Sequence, residues 1–181
     1  EPERREEILE SRAAFDKAGI SCIPFYKAVE FASDMTEEDK ANLEAQLQMM
    51  GILDAIVIEE KNIRRVQTEF PEWADTVLCA SKKGESAFDR LVVSRELEES
   101  FQEAVANILS NIEIHDHAES KIFIGNNGTF RNGILFGRAN TSGEAEYVGV
   151  LARKRKREQM LAEIREQIET AEQSFEVLRK E

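Results

Sequence analysis

From Leu151 to Glu181 the chain has no Gly or Pro, and apolar residues fall at Leu161, Ile164, Ile168, Ala171, Phe175 and Leu178, alternately three and four apart. That spacing keeps one seam turned toward a partner helix, a coiled-coil stripe over about three heptads. A helix from Val150 to the end would reach roughly 48 Å, well beyond a small globule. At the other end, "EPERREEILESRAAFDKAG" places Ile8, Leu9, Phe15 and Ala18 on one helical face, and Gly19 follows as a C-terminal stop. One helix enters and the other leaves, so the two are expected to pair antiparallel as the root of a long arm. The chain opens on Glu1 and both ends are highly charged helical sequence, which predicts a piece of something longer.

Between these helices the pattern predicts an α/β (α+β) globule. "ISCIPFYKAVEF" reads as extended, with Pro24 blocking a helix interior. Thr36 then caps "EEDKANLEAQLQMM", where Leu43, Leu47 and Met50 form a stripe and Gly51 ends it. "ILDAIVI" (52–58) is a continuous apolar run suited to a strand buried on both faces, and "DTVLCA" (75–80) is a second strand. The pattern from Lys61 to Trp73 is ambiguous, with Trp73 a packing anchor. Ser94 is expected to open a helix carrying Leu97, Phe101, Val105, Ile108 and Ile112 on one face. The expected division is 1–18 entering helix, 19–149 globule and 150–181 leaving helix.

"IGNNGTFRNGILFGRA" (124–139) holds four of the nine glycines and raises the question of a phosphate cradle. A P-loop needs G-x-x-x-x-G-K-[ST], and no such run exists; the spacings also miss G-x-G-x-x-G. "KIFIG", the turn signal "NNG" and "TFRNGILFGRA" read instead as hairpin or meander. Gly133 and Gly137 inside a strand pattern suggest a bulge or a closely approaching backbone. The exposed apolar residues of such strands make Phe130, Ile134, Leu135 and Phe136 the candidate association surface, although alternation means that some of them belong to the core.

Charge and chemistry narrow the function. With 36 acidic and 24 basic residues the net charge is −12, so any nucleic-acid contact must be local. Cys22 and Cys79 suggest no disulfide framework, no apolar run is long enough to span a membrane, and a cytosolic setting is expected. His115 and His117 in "HDH" lack further ligands nearby, so no metal is expected, and no cofactor. "GESAF" around Ser86 is only half of a nucleophile elbow, because Phe88 stands where the second glycine belongs. The sharpest charge feature is "RKRKR": Arg153, Lys154, Arg155, Lys156 and Arg157. It is either a solvated helix root or a local contact with a DNA backbone, with Lys121, Arg131 and Arg138 able to extend it.

Three segments carry a resemblance. "AGISCIPFYKAVEF…LEAQLQMMGILDAIV" (18–57), "DTVLCA" (75–80) and "GTFRNGILFGRA…AEYVGVLARKRKREQMLAEI" (128–164) resemble the hinge region of the JetC family, the MukB-like SMC subunits of bacterial Wadjet anti-plasmid systems. "GILDA" after an amphipathic helix and Y-V-G-x-x-A-R opening the exit helix are its most specific parts. Lys61 to Trp73 and Gly84 to His117 match only in character. The resemblance implies a non-enzymatic SMC-type hinge that homodimerises and joins two coiled-coil arms. In that family, ATPase heads lie at the far ends of the arms, and the whole complex extrudes DNA loops so that a nuclease subunit cuts plasmids. It also implies a cytoplasmic, nucleoid- or plasmid-associated parent with partner subunits bound elsewhere. No DNA-binding residue of the family is carried onto "RKRKR". The rival readings are a nucleic-acid-binding adaptor using Arg153 to Arg157, and a cytosolic hydrolase built on Ser86 and His115.

Overall fold

The computed structural model describes residues 1–80, 82–114, 121–139, 141 and 143–180, the side chains of 176–178 and 180 excepted. The element order is α1 (Glu6–Lys17), β1 (Ile23–Pro24), α2 (Phe25–Ala28), β2 (Val29–Phe31), α3 (Glu37–Met49), β3 (Ile56–Val57), α4 (Glu60–Glu69), β4 (Val77–Leu78), β5 (Leu91–Val93), α5 (Glu99–Leu109), β6 (Ile122–Ile124), β7 (Thr129–Asn132), β8 (Leu135–Arg138) and α6 (Val150–Lys180). It is a mixed α/β globule with helices at both ends, as the pattern predicts.

The described strands form three small sheets, ordered β1-β3-β4, β2-β5 and β6-β7-β8. β3 lies antiparallel to β1 and parallel to β4. The run 52–58 is buried almost throughout, but only Ile56 and Val57 pair as strand, since β1 and β4 are equally short. Pro24 does not keep 20–31 extended. It is the residue before α2, where its missing N–H costs no helical bond, and Phe25 and Tyr26 are buried behind it. Lys61 to Trp73 resolves into α4, and Trp73 packs against Phe15 at 6.2 Å between ring centres. Ser94 does not open α5: its hydroxyl accepts from the Glu96 amide in a preceding turn, and the helix begins at Glu99.

Two apolar clusters fill the globule. The larger gathers Phe25, Leu43, Leu47, Val105, Ile124 and Phe130 among others, and the smaller gathers Phe15, Ile20, Ile56, Ile58 and Val66. Phe15 draws α1 onto the globule, and ion pairs hold it there. Arg4 donates to both oxygens of Asp54 at 2.7 and 2.6 Å, and Arg12 to both oxygens of Asp75 at 2.6 and 3.2 Å. The Asp54 carboxylate lifts the Arg4 guanidinium further above its ordinary pKa. α1 thus rests on the globule through Phe15 and these ion pairs, and the apolar seam of α6 is exposed.

Asp75, with its side chain 2% exposed, is the least accessible member of this network. Replacing it leaves Arg12 partly buried beside a vacated site. Asp75→Ala is expected to cost roughly 3 kcal/mol, read as a lowered urea midpoint without a change in slope.

Candidate functional site

The glycine-bearing segment is a three-stranded meander. β7 and β8 pair Asn132 with Leu135, so Gly133 and Ile134 make a two-residue loop. Gly133 has φ +61° and Ile134 a negative φ, the pattern of a type II′ hairpin turn with Gly first. Gly133 is thus a turn residue rather than a bulge. Gly137 faces a ring rather than a backbone: a Cβ there would lie 2.6 Å from Phe130 Cζ. The close backbone approach falls at Gly128, where a Cβ would lie 2.4 Å from the Ala139 carbonyl oxygen.

The register sorts the candidate association residues. Phe130 lies opposite Gly137, facing inward, and is 1% exposed; it is core, which corrects its placement on the surface. Ile134 at the hairpin tip is 103% exposed, Leu135 54% and Phe136 60%. Leu135 and Phe136 are successive on β8 and so stand on opposite faces of the sheet. Phe136 packs beside Phe123 at 6.3 Å and beneath the Arg131 guanidinium at 5.3 Å. β8 is the outer strand of its sheet. Hydrogen-bonded pairs alternate along an antiparallel ladder. The Ala139 amide donates to the Gly128 carbonyl at 2.9 Å, which fixes that phase and turns the Phe136 amide and carbonyl toward the open edge. Main chain and apolar side chains are displayed together.

The second feature is the root of α6. Glu44 on α3 is buried, and its carboxylate accepts three successive amides, from Glu146 at 2.6 Å, Tyr147 at 2.9 Å and Val148 at 2.8 Å. Gly149 follows with φ +87°, a conformation that turns the chain into the helix and favours Gly. The Val150 amide donates to Glu30 at 3.3 Å. Tyr147 stacks edge-on against Tyr26 at 5.9 Å, and burial raises its phenol pKa. These contacts give the sequence "YVG" its structural content: a ring, a core side chain and a turn. α3 itself is capped as expected, with Thr36 accepting from the Asp39 amide.

The basic run is mostly engaged by the protein itself. Arg153 donates to the carbonyls of Tyr26 and Tyr147, Arg155 pairs with Glu144 and Glu37, and Lys156 pairs with Glu146 at 2.7 Å, which raises the lysine pKa. Lys154 and Arg157 remain at the surface, Lys154 facing Glu158 at 4.0 Å. Three of the five thus have partners within the chain, while Arg155, although paired, stays exposed with Lys154 and Arg157. Along α6, Leu161, Ile164, Ile168, Ala171 and Phe175 are all exposed, while the Leu178 side chain lies outside the described residues. A groove of about 360 Å³ at the root, lined by Tyr26, Tyr147, Met160, Leu161 and Ile164, continues that seam onto the globule.

Ser86 donates its amide to the Ser110 carbonyl at 3.0 Å; His115 and His117 lie outside the described residues. Among the described residues no group of three or more His, Cys, Asp or Glu could hold a metal ion. Among the described residues no helix is long and apolar enough to cross a membrane. Sequence reading missed the buried Glu44 and Gln46 and the half-buried Glu30, polar residues with no local signal of their role.

No family model matches the chain, and no curated protein does. The solved structures similar to it include the Pyrococcus furiosus Smc hinge domain with an extended coiled coil, at 17% identity and TM-score 0.40, covering 94% of this chain and 69% of that one. The Pyrococcus furiosus SMC hinge domain alone is similar at 18% identity and TM-score 0.40, covering 80% and 94%. An asymmetric dimer of the Geobacillus stearothermophilus SMC hinge domain is similar at 15% identity and TM-score 0.43, covering 92% and 76%.

The Glu44 contacts are testable. Glu44→Gln keeps the shape but turns an N–H toward amides that need an acceptor. It is expected to cost about 3 kcal/mol and lower the melting temperature by roughly 6–12 °C in calorimetry.

Proposed function

We propose that this chain is a homodimerisation hinge of a MukB-like SMC ATPase of the JetC type, joining two coiled-coil arms of a DNA loop-extruding complex that restricts plasmids. The observation that carries the self-association is the β8 edge. Ile134 at the hairpin tip and Leu135 and Phe136 on the strand itself are exposed in succession, and the strand's outer main-chain groups face away from its own sheet. Apolar residues on both faces of an edge suit strand-to-strand addition, in which the main chain supplies hydrogen bonds and alternate side chains supply contacts. In this reading the second copy brings the same edge, giving a two-fold contact.

The arm half of the reading rests on α6, 31 residues or about 46 Å long, with its apolar seam uncovered. Residues 150–181 serve as the root of the leaving arm and 19–149 as the hinge globule. The segment 1–18 is the end of the entering arm, which docks on the globule before the coil begins. The parent is cytoplasmic and nucleoid- or plasmid-associated, with its other subunits bound outside this segment. The sequence segments resembling JetC hinges, "GILDA" and "YVGVLAR" above all, support this specific assignment.

Multi-angle light scattering over a concentration series tests the association directly. The chain is expected to show the mass of two copies, and Phe136→Glu or Leu135→Glu the mass of one with an unchanged circular dichroism spectrum. A wild-type mass of one copy at tens of micromolar would overturn the hinge reading.

A further inference from the structure

α3 stands between the two features described above. On one side Glu44 holds the amides of Glu146, Tyr147 and Val148. On the other, the buried Gln46 amide donates to the Gly125 carbonyl at 2.9 Å and the Thr129 carbonyl at 2.8 Å, clasping the turn between β6 and β7. Residues two apart on a helix point about 200° from one another, so the two grips are made from opposite sides of one rod. Its ends repeat the arrangement. Glu37 in the first turn pairs with Arg155 of α6 at 3.5 Å, and the Met50 carbonyl after the last turn accepts from the Asn132 side-chain amide of β7 at 3.1 Å. Leu43 and Leu47 meanwhile fix the rod in the core.

We infer that α3 is a strut coupling the seating of the β6–β8 sheet to the exit of α6, with Gln46 and Asn132 as its grips on the sheet and Glu44 and Glu37 as its grips on the exit. A load that shifts the sheet is passed through a rigid helix to the residues that aim α6, and a load on α6 returns by the same route. Reciprocity is required, because coupling between two sites is a single free energy. The strut stands on the contacts of α3 alone and does not depend on self-association.

Amide hydrogen exchange by NMR on the 181-residue chain tests it. Gln46→Ala is expected to speed exchange about tenfold at Glu146, Tyr147 and Val148, which Gln46 does not contact, as well as around Gly125 to Asn132, while the Ile56 and Val57 amides hold their rates. Glu44→Gln is expected to speed the Gly125 amide in return. Acceleration confined to the substituted side in both variants overturns the strut. Should Gln46→Ala also loosen Ile56 and Val57, Asn132→Ala releases the sheet at its other grip. Faster exchange at 146–148 in that variant supports the coupling, and unchanged exchange there overturns it.

Discussion

A buried carboxylate that meets three consecutive amides is the constraint on which the rest of this structure turns. A charged group inside a protein is tolerated only when its lone pairs are met, and Glu44 meets them with the main chain of the segment that launches α6. The bond set orients backbone rather than a rotatable side chain, so it defines where the helix starts and in which direction it leaves. Tyr147 on Tyr26, Val148 in the core and Arg153 on two carbonyls then lock the same junction from other sides. The long helix is consequently built out from the globule rather than hung from it by a loop.

The same logic works at the other end of the chain with a different device. α1 buries only Phe15, too little apolar surface to dock a helix firmly, and the two bidentate arginine–aspartate pairs supply the remaining definition. Both aspartates lie in connections next to the β1-β3-β4 sheet, so the ion pairs also brace short strands that pair over only two residues each. Polar contacts thus position both terminal helices, while the apolar clusters hold the middle.

Much of this was legible in the residues. The cap at Thr36, the stripe on α3, two of the three strands of the first sheet (β3 and β4), the meander after Lys121 and the length of α6 follow from period, turn chemistry and the absence of breakers. What stayed hidden is the polar interior. Glu44 and Gln46 sit in "LEAQLQ" as polar residues flanking the apolar stripe, and only chain 79 and 103 residues later reveals why they are buried. Among the site residues, alternation alone predicted that part of the apolar set would be core. The register then selects Phe130, because Gly137 leaves room for its ring. The basic run shows the opposite case: its charge is visible in sequence, whereas the carbonyls and carboxylates that Arg153, Arg155 and Lys156 meet are not.

The open edge of β8 carries a liability as well as a use. Unpaired strand edges bearing apolar side chains are templates for runaway stacking, and proteins that keep them blunt them by brevity or charge. β8 has both defences, being four residues long and ending on Arg138, whose guanidinium donates to the Asn127 carbonyl in the turn between β6 and β7. Such an edge can accept one short strand but offers no room to grow a sheet indefinitely, so it is suited to closed assembly and poorly suited to seeding fibrils.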